Sequence, residues 1–273
     1  MVLNESFEDW FGRLAGLPAG GRAHPWQVEL AGRQELADHS IRIPTGFGKT
    51  LGALGAWLWN RVQRRDPNWP RRLVWCLPMR VLVEQTDAEI RAALGRVGLL
   101  QDAGDGHMSG VGVHRLMGGV AAGEWLLHPE REAVLVGTQD MLLSRAMNRG
   151  YGSFRARWPM EFGLLNQDCL WVMDEVQLMD VGLATSVQLQ AFRREDERAG
   201  KALRPARTWW MSATLQPAWL AKSPEAESLI PGRRQSRVEP AARRGPLWEG
   251  VRKPVDLRAV ASPDVLADIA AEA

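Results

Sequence analysis

The segment from Ile41 to Trp57, IRIPTGFGKTLGALGAW, constrains the fold more than any other part of the chain. A short apolar run precedes a glycine-rich turn, and a helical pattern follows it. Glycines let backbone N–H groups approach a phosphate closely, and the first turn of a helix adds partial positive charge. Lys49 supplies a mobile cation, and the hydroxyl group of Thr50 can bind Mg²⁺. The segment therefore predicts a phosphate-binding loop; the alternative is a glycine turn before an ordinary exposed lysine.

Apolar runs rich in β-forming residues alternate with helical patterns along the chain. Five runs are predicted as strands, and they begin at Ile41, Arg72, Glu132, Cys169 and Arg207. A sixth run, which begins at Val111, is a further candidate. These runs lack polar–apolar alternation, as expected for parallel strands covered on both faces. Helical spacing is seen at 50–64 and 81–94. The alternation predicts a doubly wound, mostly parallel α/β sheet with helices on both faces, whose ligands bind at the carboxyl ends of the strands.

The chain is predicted to have three parts. Residues 1–22 form an amphipathic helical extension closed by PAGG, and residues 23–221 form the sheet domain. Residues 222–273 begin as a basic arm or linker, because 230–258 holds eight Lys or Arg, three Asp or Glu and four prolines. A further helix is predicted to begin near Ser262, with Pro263 at its first position.

Composition excludes several classes of protein. The net charge of +2 does not by itself argue for nucleic acid, and no run of 18 apolar residues or N-terminal signal pattern occurs, so no membrane partner is expected. The two cysteines, Cys76 and Cys169, lie inside apolar runs. They are predicted to be buried thiols in a reducing compartment, which favours a cytoplasmic location. Several of the 13 tryptophans are predicted as core: Trp57, Trp75, Trp171 and Trp209.

Two adjacent acids, Asp174 and Glu175, follow an apolar strand in LWVMDEVQLMD. Such a pair is costly at the end of a strand unless it has a cation or a catalytic task nearby. Asp174 would hold the Mg²⁺ that Thr50 also contacts, and Glu175 would orient and polarise the attacking water. The alternative is a helix start, where acids are favoured in the first turn.

At this point the chain resembles the superfamily 2 helicases. PTGFGKT, DEVQ and MSATL occur in that order and resemble motifs I, II and III, while HPWQ (24–27) is similar to the glutamine motif that reads adenine. LPMRVLVEQT (77–86), LMGG (116–119) and VGTQDMLLSRAM (136–147) resemble nucleic-acid-contacting segments. The resemblance implies a RecA-like P-loop NTPase that uses ATP and Mg²⁺. Ile43 stands where the general loop signature has glycine, a departure common in helicase-type loops.

The resemblance also implies roles for individual residues. The implied catalytic residues are Lys49, Asp174, Glu175 and Gln177, and the implied nucleotide-binding residues are Gln27, Thr45, Gly46, Phe47, Gly48, Lys49 and Thr50. The metal would be bound by Thr50 and Asp174. Residues that couple nucleotide state to the grip on nucleic acid would be Ser212, Ala213 and Thr214, with Gln177 as a relay. The nucleic-acid side would be lined by Pro78, Arg80, Gly118, Gly119, Thr138 and Gln139.

Some residues near the predicted site have a second, non-functional interpretation. Gln27 could be a surface glutamine before a helix instead of an adenine contact. Ser212 and Thr214 could simply cap a helix. Three nearby arginines in NRGYGSFRARW could extend the nucleic-acid side, although a solvated basic loop is the favoured interpretation; they are Arg149, Arg155 and Arg157.

A narrower resemblance is to the helicase portion of the CRISPR-associated effector helicase-nuclease of type I systems, carried by FEDWFGRLAGLPAGGRAHPWQ, VGTQDMLLSRAMNRGYG and VMDEVQLMDVGLATSVQLQAFR. It implies a motor that loads on displaced single-stranded DNA, with a CRISPR surveillance complex as a partner. None of the five histidines is followed by aspartate, so no nuclease can be assigned. No Q-x-x-G-R-x-x-R element occurs, so the chain is expected to be an N-terminal fragment or a separately encoded half. A second RecA-like domain would then be needed for turnover.

Two other functions remain open from the sequence. The chain could be another superfamily 2 motor, such as an RNA helicase or a restriction translocase. It could also be a single-stranded nucleic-acid-binding module that has lost turnover and acts only as a clamp.

Overall fold

The computed structural model describes residues 5–101, 110–118, 124–221 and 234–238. The chain divides into two units, Met1–Val238 and Glu239–Ala273, and every described residue belongs to the first. The predicted nucleic-acid contact Gly119, the helix start near Ser262 and most of the arm at 222–273 lie outside the described residues.

The described residues form one seven-stranded parallel sheet. Its strands are β1 (His39–Arg42), β2 (Arg72–Leu77), β3 (Gly112–Leu116), β4 (Ala133–Thr138), β5 (Cys169–Asp174), β6 (Arg207–Ser212) and β7 (Arg234–Arg237). Their order in the sheet is β3-β4-β2-β5-β6-β1-β7, and every pairing is parallel. The predicted doubly wound sheet is confirmed, and the Val111 candidate is the strand β3.

Eight α-helices connect or flank these strands in the described part of the chain. They are α1 (Phe7–Ala15), α2 (Pro25–Ala31), α3 (Lys49–Trp57), α4 (Arg80–Arg96), α5 (Gln139–Ala146), α6 (Trp158–Asn166), α7 (Val181–Arg198) and α8 (Pro217–Leu220). The predicted helix 50–64 is not α-helical throughout, because six residues, Leu58–Gln63, form a π-helix. The buried side chain of Asn60 donates to the carbonyl oxygens of Ala56, 2.9 Å away, and Ala31, 2.8 Å away. This competition with the backbone ladder accounts for the change of helix type.

The apolar strands are buried on both faces, as their lack of alternation predicted. In β2, Leu73 and Trp75 pack into a core shared with α1 to α4, whereas Val74 and Cys76 pack into a second core shared with α5 to α7. Successive residues of a strand point to opposite faces, so a run with no polar gaps requires a helical layer on each side. The four tryptophans predicted as core are at most 2% exposed, and both cysteines are buried free thiols.

The helix predicted in the N-terminal extension is α1. The Oγ atom of Ser6 accepts a hydrogen bond from the backbone N–H of Asp9 at 3.2 Å, which caps the helix start. Trp10 and Phe11 are buried in the first core. None of the described helices has both the length and the apolar character needed to cross a membrane.

Strand β7 lies within the segment that the sequence assigned to a basic arm. It pairs with β1, and the ring of His39 makes a 2.8 Å hydrogen bond with Oγ of Ser236 across that pairing. Burial, together with the charges of Arg33 and Arg234, lowers the pKa of His39 to about 3. The ring is therefore neutral, and its other nitrogen accepts a 3.0 Å hydrogen bond from Arg33. The sheet thus extends further along the sequence than the apolar runs alone indicated.

Candidate active site

The predicted phosphate loop lies between the carboxyl end of β1 and the start of α3. Gly48 is the residue before the helix and adopts a left-handed conformation, with φ 62° and ψ 47°. A side chain is rarely tolerated there, which explains the glycine directly before Lys49. Phe47 is 4% exposed, and its ring centroid is 4.9 Å from that of His24. The loop is therefore held against the residues just before α2, with the amino end of α3 at its base.

Lys49 and the two predicted acids converge at one place. The Nζ atom of Lys49 lies 3.1 Å from Oε1 of Glu175, and their side chains are 10% and 26% exposed. This ion pair joins the start of α3 to the residue that follows β5, although 126 positions separate the two residues in the chain. Lys49, Asp174 and Glu175 therefore lie close together, as the sequence interpretation required.

Asp174 is the last residue of β5 and is 5% exposed. Its Oδ2 accepts from the indole N–H of Trp75 at 3.2 Å, and its Oδ1 accepts from the backbone N–H of Glu175 at 2.9 Å. Burial raises the pKa of Asp174 to about 6, and the charge of Glu175 adds to this, while Lys49 opposes it. Two carboxylates thus share one ammonium group, a balance that favours a further cation.

The donor set suits magnesium bound together with a nucleotide. Mg²⁺ usually takes one or two carboxylates plus phosphates and waters, not an all-protein cage. Within the described ranges, no cluster of three or more His, Cys, Asp or Glu could hold a metal. Thr50 and Asp174 would be the protein ligands, with the phosphates supplying the rest. The fit depends on the geometry at Asp174, which is 5% exposed while the nearby ammonium group of Lys49 pairs with Glu175.

A third acid beside the loop was missed by the sequence reasoning. Burial raises the pKa of Glu89, a residue of α4, and a hydrogen bond with Thr50 offsets this only in part. No motif in the sequence marks this contact, because it depends on how α4 packs beside α3. Glu89 therefore lies beside Thr50, one of the two predicted metal ligands.

A chain of short hydrogen bonds runs from the acids to the end of β6. The side-chain N–H of Gln177 donates to Oε2 of Glu175 at 2.6 Å, and the hydroxyl of Ser212 donates to Oε1 of Gln177 at 2.6 Å. Ser212 in turn accepts from the backbone N–H of Thr214 at 3.0 Å. Ser212 therefore binds the backbone of the following turn and also contacts Gln177, and its coupling role stays a prediction.

The backbone at Glu175 is unusual. Its φ of 54° and ψ of 45° place it in the left-handed region, where a residue with a side chain costs about 1–3 kcal/mol. This conformation turns the chain sharply after β5 and leads into a short 3₁₀ turn, Val176–Leu178. Four other non-glycine residues of the described ranges, among them Arg65 and Asp168, also have positive φ, so the ion pair with Lys49 and not the strain marks Glu175 as functional.

Gln27 is 2% exposed, so the alternative of a surface glutamine is wrong. Its Oε1 accepts from the backbone N–H of His24 at 2.8 Å, and its Nε2 donates to the carbonyl oxygen of Gly48 at 3.0 Å. The amide thus ties the start of α2 to the phosphate loop. The adenine contact stays a prediction.

The predicted nucleic-acid contacts occupy the other half of the same sheet edge. Pro78 and Arg80 follow β2, Gly118 follows β3, Thr138 is the last residue of β4, and Gln139 comes directly after it. The sheet order places β3, β4 and β2 side by side, whereas the phosphate loop, the two acids and the coupling residues lie at the ends of β1, β5 and β6. Carboxyl ends of parallel strands lie at one edge, so the two predicted sites are neighbours.

Residues 28–222 match the DEAD/DEAH box helicase family. The chain belongs to this family. The predicted membership of superfamily 2 is therefore confirmed. No curated protein sequence matches this helicase chain significantly.

Solved structures share the fold of this helicase chain. It is similar to the DUF1998 helicase MrfA bound to DNA, with a TM-score of 0.57, 14% identity, and coverage of 87% of this chain and 30% of that one. It is similar to the DEAD-box helicase Mss116 bound to ssRNA and UDP-BeF, with a TM-score of 0.52, 16% identity, and coverage of 85% and 43%. The yeast DEAD-box splicing factor Prp28 gives a TM-score of 0.54, 18% identity, and coverage of 85% and 49%. The chain thus spans less than half the length of each.

Proposed function

We propose that this chain is the ATP-binding half of an ATP-dependent helicase or translocase that acts on single-stranded DNA in CRISPR antiviral defence. Family membership supports an ATP-dependent nucleic-acid motor. The observation that carries the proposal is the convergence of Lys49, Asp174 and Glu175 at the phosphate loop. MrfA is bound to DNA and Mss116 to ssRNA. The choice of DNA therefore depends on the sequence segments that resemble the CRISPR-associated helicase.

Each residue of the site would have a separate role in ATP hydrolysis. When bound, Mg²⁺ neutralises charge on the phosphates, and Thr50 and Asp174 would hold it. Both carboxylate oxygens of Glu175 are engaged, one by Lys49 and the other by Gln177. A triphosphate offers Lys49 a denser negative charge than a single carboxylate. Its ammonium group would move to the phosphates and leave Oε1 of Glu175 to accept a hydrogen bond from the attacking water.

The relay follows from the same geometry. If Glu175 loses its bond to Lys49, its position depends on Gln177, which also contacts Ser212 at the end of β6. A shift of Glu175 therefore changes the contacts of Ser212 through one amide group. This is a physical route from the nucleotide to the residues proposed to couple with strand binding.

Turnover should need a second RecA-like domain, supplied by a further segment or a separate chain. An arginine delivered to the transferring phosphate contributes about 10³–10⁵ in rate. The 273 residues contain no element of the Q-x-x-G-R-x-x-R type. We expect the chain alone to bind ATP–Mg²⁺ weakly, to hydrolyse it very slowly and not to unwind duplexes.

The first experiment measures phosphate release and oligonucleotide binding by the purified chain. Glu175→Gln, which keeps the shape of the side chain and removes its charge, serves as the matched variant. We expect slow hydrolysis that the variant abolishes, and an affinity for single-stranded DNA that changes when a non-hydrolysable ATP analogue is added. Rapid DNA-stimulated hydrolysis by the chain alone would contradict the need for a second domain. An affinity indifferent to nucleotide would favour the passive clamp.

The choice of substrate and partner requires two further comparisons. Single-stranded DNA and RNA of the same sequence should differ in the nucleotide-dependent change in affinity, and a preference for RNA would favour the RNA helicase alternative. A CRISPR surveillance complex bound to its target duplex should retain the chain only when a displaced strand is present. Failure to retain it would remove the CRISPR role and leave the motor assignment intact.

A further inference from the structure

The loop between α5 and α6 carries aromatic and basic side chains that face solvent. Tyr151 is 67% exposed and Phe154 is 78% exposed. Three arginines of the same stretch are also exposed, and within the described ranges none of them forms an ion pair; they are Arg149, Arg155 and Arg157. Residues 149–157 are called the arginine–aromatic loop below.

The exposure of these rings is imposed by buried interactions beneath the loop. Arg145 of α5 and Glu161 of α6 form an ion pair at 3.1 Å, with side chains 2% and 0% exposed. The hydroxyl of Ser153 donates to the same Oε1 of Glu161 at 3.0 Å. The backbone N–H of Tyr151 donates to Oγ of Ser144 at 3.2 Å. The loop is therefore anchored at its middle and at its start, and its aromatic rings are held outward.

A groove of about 490 Å³ leads from the sheet edge to this loop. It lies between α5 and the start of α7, and its lining includes Gln139, Val181 and Tyr151. Gln139 directly follows β4 and is one of the predicted nucleic-acid contacts. The groove thus connects the predicted nucleic-acid side with the exposed ring of Tyr151.

We propose that the arginine–aromatic loop is a further nucleic-acid-binding site, which rests on the proposed function. A single strand leaving Thr138 and Gln139 would follow the groove, stack bases on Tyr151 and Phe154, and place its phosphates near the three arginines. Aromatic platforms combined with cationic side chains are how proteins bind single strands without reading sequence. The favoured sequence interpretation, a solvated basic loop, did not account for the rings.

Charge decides between a nucleic-acid strand and a protein as the occupant. Three arginines within nine residues, without an ion pair among the described residues, fit a polyanion, because each phosphate they neutralise releases counterions. The guanidinium of Arg157 lies 5.9 Å from the centre of the Phe154 ring, so charge and stacking surface are adjacent. Asp140, which also lines the groove, repels phosphates. The bases would therefore face the groove and the phosphates the arginines.

The test measures binding of a fluorescein-labelled oligo(dT) 20-mer to the full chain by anisotropy between 50 and about 300 mM NaCl, a range in which counterion release is resolved. The arginine variant is R149A/R155A/R157A. Its control, R22A/R65A/R198A, removes the same charge from exposed arginines outside the loop. The aromatic variant is Y151A/F154A, and its control is F192A, whose ring is 55% exposed on α7.

Each variant should change a different property of binding. The arginine variant should weaken binding and lower the slope of log affinity against log salt by about 2, since each single-strand phosphate contributes about 0.7. The aromatic variant should weaken binding about ten-fold or more per ring with an unchanged slope. Both controls should bind like the wild type. A 20-mer containing 5-iododeoxyuridine should crosslink to Tyr151, the single tyrosine of the chain.

The outcomes separate this proposal from the proposed function. If both loop variants bind like the wild type while Arg80→Ala weakens binding, the nucleic-acid function stands and the loop assignment is overturned in favour of a protein-docking surface. If the wild-type chain binds no oligonucleotide, the proposed function fails together with the loop. Crosslinking on the wild type does not depend on any variant folding, and an unmodified Tyr151 would count against the loop.

Discussion

Replacing Asp174 by asparagine should stabilise the ligand-free chain at neutral pH while abolishing hydrolysis. The pKa of Asp174 is raised to about 6 from its ordinary value of 3.8, chiefly by burial. One pKa unit corresponds to about 1.4 kcal/mol, so ionised Asp174 costs the fold about 3 kcal/mol. Asparagine keeps only one acceptor, so one of the hydrogen bonds from Trp75 and from the backbone of Glu175 is lost, at about 1 kcal/mol. The net gain is about 2 kcal/mol.

The sign of this effect depends on pH. A carboxyl group whose pKa is raised on folding stabilises the folded state when protonated, so its cost is absent below the unfolded pKa. The cost develops between pH 3.8 and about 6 and is complete above that range. Asp174→Asn should therefore be the less stable protein near pH 4, by about 1 kcal/mol, and the more stable one at pH 8.

Urea unfolding at several pH values, without Mg²⁺ or nucleotide, measures this difference. Asp140→Asn is a suitable control, because this exposed carboxylate should change the unfolding free energy by less than about 0.5 kcal/mol. Added ATP–Mg²⁺ should raise the stability of the wild type and not that of Asp174→Asn. A difference between variant and wild type that stays constant with pH would refute the reasoning.

Three other substitutions test separate parts of the structure. Lys49→Ala removes the cation of the phosphate loop, so the rate of phosphate release should fall at least about a hundred-fold. A smaller loss would assign the phosphates to another cation. Gly137→Ala would place a Cβ atom 2.4 Å from a carbonyl oxygen of β3, so urea unfolding should show a loss of about 2 kcal/mol or more; an unchanged midpoint would mean that β3 can shift at little cost. Arg145→Ala leaves Glu161 buried without its partner and should cost about 3–5 kcal/mol, more than R145M/E161L, which removes both charges. Equal losses in these two variants would show that packing, not the unpaired charge, dominates.

The strands, and the positions of the site residues at their carboxyl ends, were predictable because both depend on local sequence pattern. The run Cys169–Asp174 is apolar up to its final acid, so both its strand character and the position of Asp174 at a carboxyl end could be read directly. The same holds for the loop at Gly48, where a strand, a glycine turn and a helical pattern follow one another. Parallel strands bring their carboxyl ends together, which placed Lys49 near Glu175 without knowledge of the strand order.

Features that depend on distant partners were not predictable. Strand β7 is polar, and only Ser236 of its four residues is buried, so no apolar pattern marks it. The pairing of Arg145 with Glu161 joins charges on different helices, and nothing in the sequence shows which acid an arginine will meet. The burial of Gln27 was not predictable either, because its amide bonds to the backbone of His24 before α2 and of Gly48 in the phosphate loop. In each case tertiary packing decided the outcome.

The amide of Gln177 has a consequence for how this site could be altered. Its N–H end contacts Glu175 and its carbonyl end contacts Ser212, so a single side chain serves two neighbours with opposite hydrogen-bonding needs. A replacement that offers only an acceptor keeps the contact with the hydroxyl of Ser212, which can donate, and leaves Oε2 of Glu175 without its N–H donor. A protein engineer, or an evolving lineage, that removes the donor end must therefore supply Glu175 with another donor in the same step.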